Sequence, residues 1–209
     1  SGIKPVDITT AIRRAMDDSV QEVSASRIIA ANHFTVYASR EDLFSLEASL
    51  DVLADEFAQQ ATEHASTNDY SLIGPVSVEF VADPSEPSGT LKVAAENRRG
   101  AAAPATASSA SPEHPIIDVD GDKWLLTEPV TVIGRGSEAD IVVNDSGVSR
   151  RHLELRITPT GVIATDLGST NGSFVEGHRI DAATLLDGNQ IVIGRTKILF
   201  WTHPDQSGV

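Results

Sequence analysis

Between Gly134 and Gly172 the sequence reads GRGSEADIVVNDSGVSRRHLELRITPTGVIATDLGSTNG. Its glycine-bounded loops carry Arg135, Ser149, Arg150, Thr170 and Asn171, with β-type segments between them. All five side chains donate hydrogen bonds, which suits holding an anion better than breaking a bond. A guanidinium at a strand end can fork onto two phosphate oxygens. Ser149 and Thr170 add short hydroxyl donors, and Asn171 offers both a donor and an acceptor to the main chain of an extended peptide. A phosphorylated residue carries about −1.5 to −2 charge and three acceptor oxygens, so one arginine and two hydroxyls match its needs.

Rival chemistries fit less well. Ser149, His152 and Asp166 have the residue types of a hydrolase triad, but no Gly-x-Ser-x-Gly elbow surrounds Ser149. His152 reads instead as a loop brace at a strand start. Gly134-Arg135-Gly136 is followed by no Gly-Lys-Ser/Thr, so it is not a nucleotide P-loop. The absence of Cys excludes a disulfide scaffold and a thiolate zinc site, and no cofactor or metal is implied. A net charge of −14 argues against nucleic-acid binding, which neutralises phosphates with Lys and Arg.

The charge distribution says more than the total. Residues 1–96 hold 6 basic and 16 acidic side chains, whereas residues 116–209 hold 8 and 13. Four of the latter arginines (Arg135, Arg150, Arg151 and Arg179) flank the donor loops. A local cationic patch on an acidic chain points to a small anionic ligand.

The elements that must position these loops are short strands. Trp124–Leu126, Val130–Ile133, Ile141–Val143, His152–Ile157, Gly161–Asp166, Ser173–Val175, Gln190–Ile193 and Lys197–Trp201 are apolar runs separated by Asn171-Gly172, Glu176-Gly177 and Asp187-Gly188 turns. Evenly spaced strands with no helical period predict a β-sandwich whose end loops carry the function.

Gly134-Arg135, Ser149-Arg150-Arg151-His152 and Asp166-Leu167-Gly168-Ser169-Thr170-Asn171-Gly172, in this order and spacing, resemble the signature of forkhead-associated (FHA) domains. The resemblance covers roughly residues 116–203 and implies an all-β sandwich of about eleven strands that binds phosphothreonine peptides without catalysis. It implies that Arg135, Ser149 and Thr170 contact the phosphate. Arg150 would support the phosphate or peptide backbone, and Asn171 would hold the peptide main chain. Gly134, His152 and Gly172 would shape the loops. Val192-Ile193-Gly194-Arg195 echoes Val132-Ile133-Gly134-Arg135, but only the first copy precedes the other two motifs at the family's spacing. Arg195 is therefore assigned to an ordinary hairpin. The loop Asn144-Asp145-Ser146-Gly147 lacks the cation that some members use to read the third residue after the phosphothreonine.

Residues 1–96 predict a compact α+β domain of order α-β-α-β-β with a small, mainly antiparallel sheet. Asp7 caps a helix to about Asp18, with Ile8, Ile12, Ala15 and Met16 on one face. Arg27–Ala38 reads as a strand with His33 on its solvent side. Ser39-Arg40-Glu41-Asp42 resembles a capping box opening a helix with a Leu43, Leu46, Leu50, Leu53, Phe57, Ala61 stripe that packs on the sheet. Val76–Phe80 and Leu91–Ala95 alternate as two more strands. Residues 97–115, NRRGAAAPATASSASPEHP, are Ala/Ser/Pro-rich and read as a flexible linker before the domain at 116–209.

Pro5-Val6-Asp7-Ile8, Ala11 to Asp18, Asn32 to Val36 and Gly74-Pro75-Val76 are similar to the N-terminal domain of actinobacterial two-domain FHA proteins of the FhaA type. That kinship implies a cytoplasmic adaptor, not membrane-embedded, recruited to the inner face of the membrane through its partners. They would be phosphothreonine proteins, among them a transmembrane Ser/Thr kinase and a lipid II flippase with a pseudokinase domain, in control of cell-wall synthesis. It also implies that this chain begins inside the natural protein.

Overall fold

Pro5 opens the first helix, where its missing N–H costs nothing and its fixed φ is already helical. Asp7, two residues further in, reaches back so that its carboxylate accepts the Lys4 amide at 3.0 Å. The helix therefore starts before the expected Asp7 cap. It runs α1 (Pro5–Ser19) and buries Ile8, Ile12 and Met16, spaced at one helical turn. A computed structural model describes residues 2–106 and 110–203, excluding the side chain of Ala48. The chain divides into two units at Arg99–Gly100.

In the first unit β1 (Gln21–Ser24), β2 (Arg27–Ile29) and β4 (Tyr70–Ser71) form one small sheet. β3 (His33–Ala38) is the centre of another, between β5 (Ser77–Ala82) and β6 (Leu91–Glu96). The single strand expected over Arg27–Ala38 is thus broken in two. Asn32 causes the change of sheet: its amide donates to the Pro75 and Arg98 carbonyls, and its Oδ1 accepts the Arg98 amide. The expected α+β class holds, but β3 pairs parallel with β5 and antiparallel with β6, so this sheet is mixed. The helical crossover between β3 and β5 permits the parallel pairing, which no tight turn could make.

That crossover comprises α2 (Arg40–Leu46), a 3₁₀ turn Glu47–Ser49, and α3 (Leu50–Thr67). Ser39 Oγ accepts the Asp42 amide and so caps α2. The leucine stripe packs on the sheet as expected, with Phe57 and Ala61 buried against Phe34, Val36 and Phe80. Each fully buried large side chain contributes about 1.5–3 kcal/mol. His33 corrects the solvent-side expectation: it is buried at 3% exposure, with Nδ1 2.6 Å from Ser77 Oγ. The central strand shields both its faces, which alternation alone does not reveal.

In the second unit the five-stranded sheet runs β11 (Ile141–Val142), β10 (Val130–Gly134), β12 (Leu153–Thr158), β13 (Gly161–Asp166), β16 (Ala182–Thr184). The seven-stranded sheet runs β15 (His178–Ile180), β14 (Ser173–Val175), β17 (Gln190–Ile193), β18 (Thr196–Trp201), β8 (Ile116–Val119), β9 (Asp122–Leu126), β7 (Ala102–Pro104). Ile133, Leu153, Leu155 and Ala164 of one sheet meet Ile117, Ile191, Ile193, Ile198 and Phe200 of the other in one buried core. This is the expected sandwich.

The flexible linker is corrected in part. Ala102–Pro104 forms the edge strand β7 on β9, with Ala102 and Ala103 at 1% and 0% exposure. Small side chains fit tightly against a neighbouring strand, and Pro104 is tolerated because the strand lies at an edge. Residues 107–109 of that stretch lie outside the described residues.

Candidate functional site

Four connections converge at one end of the sandwich: those after β10, before β12, after β13 and between β17 and β18. β10 and β12 pair antiparallel, Ile133 opposite Leu153, which brings Gly134-Arg135 beside Ser149-Arg150. The contact is unusually close. A Cβ at Gly134 would lie 2.1 Å from the Arg150 carbonyl oxygen. Three backbone bonds lock the crossing: Arg135 N–H to Ser149 O, Gly136 N–H to Arg150 O and His152 N–H to Ile133 O.

Arg135 Nε donates to the Val148 carbonyl at 3.0 Å. This bond fixes the guanidinium plane and leaves both Nη groups without a partner among the described residues. Ser149 Oγ accepts the Thr170 amide at 3.1 Å, joining the second loop to the third. Asn171 Nδ2 donates to the Gly147 carbonyl at 3.0 Å. Arg150 Nη2 is 3.4 Å from Glu138, an exposed pair worth little. Arg135, Ser149, Arg150, Thr170 and Asn171 all line one shallow cleft of ≈ 340 Å³.

His152 is fully buried beneath this cleft. Its Nδ1 accepts the Ser149 amide at 3.0 Å and its Nε2 faces the Gly172 carbonyl at 2.9 Å. These partners set the Nε2–H tautomer. Both ring nitrogens are thereby consumed, and neither touches the Ser149 hydroxyl. The hydrolase alternative built on Ser149, His152 and Asp166 therefore lacks its essential nucleophile–base bond.

Asp166 folds the third loop. Its carboxylate accepts the Gly168 and Ser169 amides and the Ser169 and Ser173 hydroxyls, and Ser169 Oγ in turn accepts the Gly172 amide. Burial pushes its pKa up, but the Ser169 and Ser173 hydroxyls and the Ser169 amide outweigh it and hold the carboxyl below the usual range. A depressed folded-state pKa means stability that is present above the unfolded value near 3.9 and lost as pH falls through the folded value. Asp166→Asn, with one acceptor oxygen in place of two, is expected to cost about 1–3 kcal/mol at neutral pH. Urea titrations at pH 7 and below about pH 4 check this, since the gap from the wild type narrows once Asp166 is protonated. A gap independent of pH would contradict the assignment.

One feature is not legible in the donor pattern. Asp145 accepts the Gly147 and Arg195 amides and the Thr196 hydroxyl, tying the loop before Ser149 to the β17–β18 hairpin. Its Thr196 bond comes first among the causes that keep its carboxyl ionised below the usual value. The Asn-Asp-Ser-Gly string signals a turn, but not this long-range anchor. Arg195, the echo of Arg135, lies in that hairpin and lines a neighbouring cleft with Asp120, Asn144 and Asp145, outside the set of five.

Comparison with known proteins follows this division. Residues 1–94 match the model "FhaA, N-terminal domain", and residues 131–194 match the "FHA domain" model. Over 86 residues the chain is 38% identical to the FHA domain-containing protein FhaA of Mycobacterium tuberculosis, covering 41% of this chain and 16% of that one. The chain joins an N-terminal domain of the FhaA type to an FHA domain. Over 90 residues it is also 39% identical to the glycogen accumulation regulator GarA of Mycolicibacterium smegmatis, covering 42% of this chain and 57% of that one. The match thus spans little more than half of that relative. A solved structure from an analysis of phosphothreonine-dependent FHA domain interactions is 36% identical over 44% of this chain and 98% of its own, with a TM-score of 0.42. Residues 131–194 thus belong to a family of non-catalytic phosphothreonine-binding modules. Among the described residues no helix is long and apolar enough to cross a membrane.

Proposed function

We propose that the cleft lined by Arg135, Ser149, Arg150, Thr170 and Asn171 is where this FHA domain holds its phosphothreonine. The convergence of these five donors from three loops supports the reading. Arg135 supplies the charge-assisted fork to the phosphate, with Nε already anchored. Ser149, whose Oγ keeps its own proton to donate while accepting the Thr170 amide, and the Thr170 hydroxyl, without a partner among the described residues, complete the phosphate contacts. Arg150 exchanges its weak Glu138 pair for the phosphate or the peptide backbone, and Asn171 holds the peptide main chain. Gly134, His152 and Gly172 keep the loops in place. Phosphopeptide reading belongs to residues 116–209, with residues 1–96 serving a separate task.

The targets are Ser/Thr-kinase substrates. The chain acts in the cytoplasm at the inner face of the membrane, on a transmembrane Ser/Thr kinase and a pseudokinase-bearing lipid II flippase, in control of cell-wall synthesis. Kinship with FhaA supports this pathway. The test is calorimetry with matched phosphorylated and unphosphorylated peptides from the flippase's pseudokinase region. Binding only to the phosphothreonine form is expected. Equal affinity for both forms would end the cleft reading, and selective binding of unrelated phosphopeptides but not these would end the pathway.

A further inference from the structure

Arg179 occupies a place the cleft description leaves out. It stands on β15 opposite Phe174 of β14, so its side chain projects from the same sheet face as Gly172, two residues before Phe174. The guanidinium lies against that glycine. A Cβ at Gly172 would meet its Nε, Cζ and Nη2 at 3.0, 3.1 and 3.3 Å. These near-equal distances place the planar group over the backbone directly beside Asn171. Arg179 is exposed, and no hydrogen bond or ion pair engages it among the described residues.

Two other arginines at this end have carboxylates beside them, and it does not. Arg150 faces Glu138 at 3.4 Å, and Arg195 shares its cleft with Asp120 and Asp145. On a chain of net charge −14, an unpaired arginine beside a ligand-holding loop has charge to offer. A peptide main chain held at Asn171 advances about 3.3–3.6 Å per residue, so side chains within a few positions of the phosphothreonine come within reach of Arg179.

We infer that Arg179 forms a second anion subsite that reads an acidic group, a carboxylate or another phosphoryl group, on a residue close to the phosphothreonine. The inference rests on the proposed phosphothreonine cleft. Planarity favours arginine here, because a guanidinium lying on a glycine backbone still presents its outer N–H edge to two oxygens.

The experiment measures dissociation constants for singly phosphorylated peptides carrying Gln or Glu at each of the three positions on either side of the phosphothreonine. A third series places phosphoserine there. At one position the wild type is expected to favour Glu over Gln by about two- to fivefold, as for an exposed ion pair, and phosphoserine by more. Arg179→Gln is expected to bring the Glu/Gln ratio to one while leaving affinity for the Gln peptide unchanged; Arg195→Gln is expected to keep the ratio. A preference for phosphoserine alone identifies the group read as phosphoryl. A wild type that binds every phosphothreonine peptide with no acidic preference, or a preference that survives Arg179→Gln, overturns the subsite while leaving the cleft intact. A wild type that binds none of them overturns the cleft and the subsite together.

Discussion

Arg135→Ala is expected to weaken phosphothreonine-peptide binding by about ten- to a hundredfold, the loss of a charge-assisted fork worth about 1.5–3 kcal/mol. The effect is large because Arg135 arrives prearranged: its amide is bonded to Ser149 O and its Nε to Val148 O. Little side-chain entropy remains to be lost when the Nη groups meet phosphate. The variant still folds, because Arg135 is exposed and loses only one hydrogen bond to a backbone carbonyl. Arg135→Lys keeps the charge without the planar fork and is expected to fall between alanine and wild type. Calorimetry alongside thermal unfolding separates binding from stability. Near-wild-type affinity in Arg135→Ala, or an equal loss in Arg195→Ala, would refute the assignment of the phosphate contact to Arg135.

The donor set was readable in the sequence for a physical reason. Arg135, Ser149, Arg150, Thr170 and Asn171 lie within a residue or two of glycines or strand ends, where turn chemistry fixes their position locally. The short strands announced themselves by apolar runs between Asn-Gly, Glu-Gly and Asp-Gly turns. What escaped depends on partners distant in the chain. Ala102–Pro104 carries too little apolar area to look like a strand, yet its buried alanines complete the edge of the larger sheet. Asp145 is an ordinary turn residue until Thr196, 51 positions away, supplies the hydroxyl that it accepts. His33 is polar and alternates correctly for the open side of the sheet, but Ser77 and the central position of its strand bury it. Arg179 was visible as one of the arginines flanking the donor loops, but its seat against Gly172 follows from the β14–β15 register, which local sequence does not reveal.

Gly134→Ala should be the most damaging single methyl in the FHA domain. Its Cβ would sit 2.1 Å from the Arg150 carbonyl oxygen, 2.7 Å from the carbonyl carbon and 3.0 Å from Arg151 Cα. All three are backbone atoms, so no rotamer change relieves the clash. Either β10 or the segment before β12 must move, and the movement strains the bonds from Arg135 to Ser149, from Gly136 to Arg150 and from His152 to Ile133. Overpacking of this kind costs about 3 kcal/mol or more. For a domain of this size that lowers Tm by more than about 10 °C. The same shift pulls Ser149 away from Thr170, so peptide binding fails even where the fold survives. Gly168→Ala is the control: φ is +74° there, but nothing lies within 4 Å of the added methyl. It is expected to cost only the left-handed strain of about 1–2 kcal/mol. Thermal unfolding of the two variants side by side tests whether close approach of two chain segments, rather than backbone conformation, requires glycine before Arg135. Equal losses in both would show that it does not.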